Sequence, residues 1–158
     1  KNFIDKKICK QINNTMLGFK FPWFYNKFLN NRDHGEMNNH FYFVHVLYNN
    51  NVVNSNYYDV ISSLIDKINP NALMRVKVNG YPKNGDRIVN HNPHTDYDFE
   101  HKGAIFSLNT NNGATILEDG TKIESVENRI LFFDPSKPHS STNCTNAKMR
   151  FNINLNWL

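Results

Sequence analysis

A chain of 158 residues, 39% hydrophobic and 20% charged, is most simply one domain, large enough to bury roughly two thirds of its unfolded surface without disulfides or a structural metal. Its apolar runs fall short of the roughly 18 to 20 residues that cross a bilayer, and no charged-then-apolar leader opens it, so a soluble protein with no membrane partner is expected. It opens on Lys1 rather than Met, as a chain lacking some N-terminal sequence would. The net charge of +4 comes from scattered basic residues and a small N-terminal group, which suits a solvated surface better than a nucleic-acid footprint. Cys9 and Cys144 stand far apart, a usage that fits a reducing compartment such as the cytoplasm and excludes a disulfide scaffold or zinc knuckle. Asparagine is abundant, and the glycosylation-like triplets at Asn13 and Asn143 read as by-products of that bias.

Ile4, Ile8, Ile12 and Met16 recur every four residues with mostly Lys and Asn between, which predicts an amphipathic helix ended by Gly18. The aromatic run Phe19–Tyr25, interrupted by Pro22, reads as loop packing, and His40–Tyr48 as a strand rich in aromatic and β-branched residues. His34, His40 and His45 belong to no ligand pattern and read as structural. Asn54, Ser55 and Asn56 offer capping side chains before a helix over Tyr57–Ile68, stopped by Asn69-Pro70. The helical part therefore spans about residues 1–70 and a β core about 71–158.

In that core, strands are expected over 72–78, 87–91, 104–108, 114–118, 122–126, 130–133 and 149–157. Turn signals stand at Asn79-Gly80, Asn84-Gly85, Asn112-Gly113, Asp119-Gly120 and Pro135–Pro138. Helices followed by short strands predict a mainly β jelly roll with helices outside one sheet. In the last strand Met149, Phe151, Ile153, Leu155 and Trp157 alternate with Arg150, Asn152, Asn154 and Asn156. The first set must be buried, whereas the second could face water or line a wet pocket inside the roll.

Chemistry concentrates at His94-Thr95-Asp96. On an extended segment, side chains two residues apart share a face roughly 6.5 Å apart, so His94 and Asp96 can close on one cation while Thr95 points away. They supply two thirds of a 2-His-1-carboxylate triad, which holds Fe(II) on one side and leaves the opposite positions open. Asp98 shares the face but stands roughly 13 Å from His94, and His91, an odd number of residues away, is expected on the other face. His91 and His101 both read as structural or solvated. His139, after the strand 130–133 and a Pro-bounded turn, is the natural third ligand, and Arg150 follows on the final strand, its fork of donors suited to a carboxylate.

The order His94-x-Asp96, His139, Arg150 resembles that of the 2-oxoglutarate and Fe(II)-dependent oxygenases, most closely the prolyl-4-hydroxylase-like branch and its small phage-encoded members, over residues 72–157. Arg75–Pro82, Ala104–Gly113 and Asn128–Phe133 add to the likeness. The resemblance implies a double-stranded β-helix with Fe(II) on His94, Asp96 and His139, and 2-oxoglutarate chelating the metal with its far carboxylate on Arg150. It further implies O2 as co-reactant, ascorbate as a stimulant, and hydroxylation of an unactivated C–H with release of succinate and CO2.

Tyr81 is similar to a tyrosine that approaches the cosubstrate in prolyl hydroxylases, a core tyrosine being the alternative. A second cosubstrate tyrosine found in some members is replaced here by Ser107, with Thr115 or a water left to complete the anchor. The loop 82–93 sits where these enzymes carry a substrate-covering segment. Asp96 itself disfavours the halogenating variant, which frees that position. The acceptor expected by analogy is a prolyl residue in a peptide or protein. Rival readings are a nucleobase-oxidising demethylase, which would want a second arginine on the final strand where Asn152, Asn154 and Asn156 stand, a non-catalytic jelly roll, and a cupin-like metalloprotein using no cosubstrate.

Overall fold

The computed structural model describes residues 2–27 and 41–158. His34 and His40 lie outside the described residues.

Helix α1 (Lys6–Met16) begins where the Asp5 carboxylate accepts from the N–H groups of Lys7 (2.8 Å) and Ile8 (3.3 Å), and it buries Cys9, Ile12 and Met16. Ile4 lies just before the helix yet is buried, because the Asn128 side chain pairs with it like a neighbouring strand, accepting from its N–H (3.0 Å) and donating to its carbonyl (2.8 Å). Gly18 follows the helix, and a Cβ there would stand 2.6 Å from the Asn14 carbonyl. Strands β1 (Phe24–Asn26), β2 (Tyr42–Asn49) and β3 (Val52–Val53) come next. The predicted helix over Tyr57–Ile68 divides into a 3-10 turn, Tyr58–Ile61, and α2 (Ser62–Ile68), ended by Asn69 at φ 50°.

The remaining strands are β4 (Leu73–Pro82), β5 (Lys102–Ser107), β6 (Ala114–Ile116), β7 (Lys122–Glu124), β8 (Ile130–Phe133), β9 (Ser140–Ser141) and β10 (Met149–Trp157). A major sheet runs β1-β2-β4-β10-β5-β8, with β3 beside β2, and a minor sheet runs β7-β6-β9. This is the mainly β, double-stranded β-helix architecture expected. β2 pairs along β4, from Phe43 opposite Gly80 to Asn49 opposite Arg75, so the major sheet draws strands from both sides of residue 70.

Two expectations need correction. Asn79-Gly80 is no turn: it lies inside β4, where the bare Gly80 lets Met149 and Phe151 approach (a Cβ would meet them at 2.8 and 3.1 Å). Residues 87–91 form no strand: they run beside Ser141–Asn143 and make a single isolated bridge, Asn90 to Thr142, with the His91 N–H donating to the Ser141 carbonyl (2.8 Å).

The register of β10 on β4 and β5 gives the major sheet two unlike faces. Ile153, Leu155 and Trp157 lie opposite Val78, Val76 and Leu73, and with Phe106, Leu47 and the buried stripes of α1 and α2 they form the hydrophobic core outside the roll. Arg150, Asn152, Asn154 and Asn156 lie opposite Tyr81, Asn79, Lys77 and Arg75 and face the inside. All four are buried, so the polar face lines an interior and not bulk solvent. His45 belongs to the outer layer, its ring nitrogens bonded to the Pro22 carbonyl (2.7 Å) and the Ser55 hydroxyl (2.8 Å). Cys9 and Cys144 are free and buried, and burial pushes the Cys9 thiol up to about 11. Among the described residues no helix is long and apolar enough to cross a membrane.

Ile12 is fully buried in the outer core and distant from the polar interior. Ile12→Ala is therefore expected to cost about 2–5 kcal/mol in urea denaturation.

Candidate active site

His94 and His139 are held face to face by backbone pairing, each N–H donating to the other's carbonyl at 2.9 Å, and their rings lie 4.6 Å apart. The prolines at 93 and 138 leave short segments on either side, so one bridge rather than a ladder sets the geometry. Asp96 follows with its N–H on the Pro135 carbonyl at 2.9 Å, which ties the His94 segment to the turn before His139. As a result one nitrogen from each imidazole and one Asp96 oxygen all lie within 4.8 Å of one another. Ligands about 2.1 Å from a common ion stand about 3 to 4 Å apart, so the three groups need only a small closure to hold one. The His139 Nδ1 donates to the Lys137 carbonyl (3.0 Å), leaving Nε2 with its lone pair free. Two imidazoles and one carboxylate suit a divalent first-row ion with open positions.

The Asp96 side chain is only 3% exposed, and its surroundings fix which oxygen does what. Oδ2 accepts from the amides of Asn156 (2.8 Å) and Asn154 (3.3 Å). Oδ1 faces the Arg75 guanidinium (3.2 Å) and the His94 Nε2 (3.7 Å). Arg75 also donates to the Asn156 side-chain Oδ1 (3.0 Å) and lies over the Tyr97 ring. Burial alone would raise the Asp96 pKa, but the neighbouring His94 imidazole, the cations Lys77 and Arg75, and the Asn156 amide together hold it well below the usual carboxylate range. Burial, with the His94 ring alongside, lowers the His139 pKa and favours the neutral ligand form.

A cleft extends from the two histidines into the roll, lined by Tyr42, Lys77, Tyr81, Ile105, Thr115 and Asn152 among others. Below it lies Arg150, 1% exposed, donating through Nε to the Ser125 hydroxyl (2.7 Å), through Nη2 to that of Thr115 (2.9 Å) and through Nη1 to the Thr142 carbonyl (3.3 Å). Gly113 admits it, since a Cβ there would stand 2.7 Å from the Arg150 Cδ. Tyr81 roofs the guanidinium, whose carbon lies 5.5 Å from the ring centre.

The sequence-derived candidates thus meet in one place, with exceptions. Ser107 is buried on the inner face opposite Asn152, yet the hydroxyls that reach Arg150 come from Ser125 and Thr115. His91, expected on the other face, lines the cleft beside Tyr81, because its segment is not a straight strand. His101 is buried behind Asp96, its Nε2 3.4 Å from the Asn156 amide, and Asp98 is exposed. Arg75 and Lys77 were not singled out by sequence reasoning as site residues. The signal was present in Arg75-Val76-Lys77-Val78-Asn79, which alternates polar and apolar as the last strand does.

The Arg75–Asp96 pair has a consequence for acid stability. A carboxyl held below its ordinary value contributes stability that is full above that value and is lost only as pH falls through the depressed one. Arg75→Met leaves the buried carboxylate short of a counter-charge and is expected to cost about 3–5 kcal/mol at neutral pH. Its acid unfolding should begin at higher pH than the wild type's, as followed by urea denaturation across pH 3–7; superimposable pH profiles would rule this out.

No protein-family profile and no curated protein matches this chain. Solved structures do match it. A 2OG-Fe(II) oxygenase family oxidoreductase from Burkholderia pseudomallei superposes with a TM-score of 0.67 at 12% identity, over 98% of this chain and 80% of that one. A prolyl hydroxylase from Trichoplax adhaerens, solved with a peptide fragment of the hypoxia inducible factor oxygen degradation domain, gives 0.67 at 15% identity over 100% and 81%. A Pseudomonas putida prolyl-4-hydroxylase gives 0.60 at 12% identity over 99% and 90%. At such identities the likeness is one of fold: this chain has the double-stranded β-helix that the 2OG-Fe(II) oxygenases share.

Proposed function

We propose that the protein is a 2-oxoglutarate- and Fe(II)-dependent dioxygenase that hydroxylates an unactivated C–H of a prolyl residue in a peptide or protein. The observation that carries this reading is Arg150. A guanidinium buried to this degree and bonded only to neutral oxygens lacks a counter-charge, and desolvating such a cation is costly unless an anion joins it. It lies directly behind Thr115 and Tyr81, which line a cleft that also holds His94 and His139 of the His94, Asp96 and His139 cluster. A cupin-like metalloprotein without a cosubstrate would give that arginine no role.

In this reading His94, Asp96 and His139 hold Fe(II), which with 2-oxoglutarate and O2 supplies the oxidising power that inserts a hydroxyl and releases succinate and CO2. The chain positions and shields. Arg75, Asn154 and Asn156 keep the Asp96 carboxylate ionised and aimed, the Lys137 carbonyl fixes the His139 tautomer, and Arg150 takes the far carboxylate of the cosubstrate, with Thr115, Ser125 and Tyr81 shaping its seat. Ser107 lies on the same inner face, opposite Asn152. Ascorbate would keep the metal ferrous between turnovers, and a reducing cytoplasm, that of the host if the gene is viral, would do the same. The phage-type likeness rests on the sequence motifs.

The peptide acceptor is favoured by the two prolyl hydroxylases of the same fold, one of them solved with a peptide. The nucleobase alternative is less well supported, since the inner face of β10 beyond Arg150 carries asparagines where it would need a second arginine.

Incubation with Fe(II), 2-oxoglutarate and ascorbate in air is expected to release succinate, and Asp96→Ala to abolish that release together with metal binding. Arg150→Ala should weaken 2-oxoglutarate by about 2–5 kcal/mol, at least about 30-fold, with Mn(II) affinity retained. An iron-loaded wild type that binds no 2-oxoglutarate would refute the assignment. Mass spectrometry of proline-containing peptides, seeking one added oxygen atom, tests the acceptor.

A further inference from the structure

The interior of the roll carries more positive charge than its own carboxylate can balance. Along the inner face of β4 and β10 stand Arg75 opposite Asn156, Lys77 opposite Asn154, Asn79 opposite Asn152 and Tyr81 opposite Arg150. Asp96 is the acidic side chain facing these groups, and its ion pair is with Arg75. Among the described residues Lys77 makes no ion pair or hydrogen bond, although its side chain lines the cleft beside His94, His139 and Asn154. Across from it the Asn154 Oδ1 is buried without a partner, and so is the Oδ1 of Asn79 two residues on. Asp96 thus faces three cations: Arg75 pairs with it directly, Lys77 feels its charge from beyond ion-pair distance, and Arg150, behind the cleft wall at Thr115 and Tyr81, bonds only neutral oxygens.

The uncompensated charges are placed for a dianion. Lys77 lies at the level of the histidines and Arg150, in register with Tyr81, four residues further along, roughly 13 Å apart at the backbone. Two long side chains converging across that gap can bracket a five-carbon diacid, whose four C–C bonds of about 1.5 Å span less than half of it. We infer that Lys77 is a second anchor for the cosubstrate, donating to the carboxylate at the metal-proximal, keto-acid end while Arg150 holds the far one. This rests on the dioxygenase reading. Lys77 is a positioning residue here: it orients the keto acid and takes no part in bond making.

The test uses the full chain loaded with Mn(II), which is inert to air, and follows ligand uptake by water-proton relaxation up to millimolar ligand. The probes are 2-oxoglutarate and 2-oxopentanoate, which keeps the keto-acid end and lacks the far carboxylate. Lys77→Met is expected to weaken both ligands by the same factor, 10-fold or more, with Mn(II) affinity and melting temperature at or above wild type. Arg150→Met should weaken only the diacid, and Lys77→Arg should recover part of the loss. Lys77→Met binding both ligands normally, losing the diacid alone, or losing Mn(II) would overturn the inference while leaving the dioxygenase reading in place. Failure of the wild type to take up 2-oxoglutarate would overturn both.

Discussion

The Asp96 carboxylate is the hinge of this molecule. Its two oxygens are gripped by Arg75 from β4 and by Asn154 and Asn156 from β10, so one buried negative charge ties together the neighbouring central strands and the loop that carries His94. A carboxylate this deep is tolerable only where cations and amide donors surround it. The same surroundings keep it ionised, which a metal ligand requires. Stability and chemistry therefore draw on the same contacts.

That arrangement explains the division of labour between the two faces of the major sheet. The outer face meets α1, α2 and the aromatic cluster around Phe21, Trp23 and Tyr57 in a conventional apolar core. The inner face gives up apolar burial in favour of a ladder of Arg, Lys, Asn and Tyr. Burying so many polar groups costs free energy unless each finds a partner, and most do. Three that do not, Arg75 Nε, Asn79 Oδ1 and Asn154 Oδ1, lie on the inner face of these two strands. A cleft whose surroundings carry more cations than carboxylates is suited to a small anionic ligand.

Alternation in the final strand was readable without coordinates, as were the amphipathic spacing of the first helix and the order of His94, Asp96, His139 and Arg150. These are local patterns, and each follows from the period of a helix or strand. The segment 87–91 and the turn expected at Asn79-Gly80 misled for a common reason: whether a residue pairs, and with what, depends on neighbours distant in sequence. Gly80 stays in its strand because Met149 and Phe151 pack on it, and 87–91, beside Ser141–Asn143, makes a single isolated bridge instead of a ladder.

The sequence by itself determined the fold class, the candidate ligands and the existence of a polar strand face. Only the tertiary structure decided that this face looks inward, that Ser125 and Thr115 rather than Ser107 bond Arg150, and that Arg75 and Lys77 share the interior with Asp96. The physical reason is that side-chain periodicity says which residues share a face but not what that face meets. Charge balance in a buried cleft is a property of several strands at once.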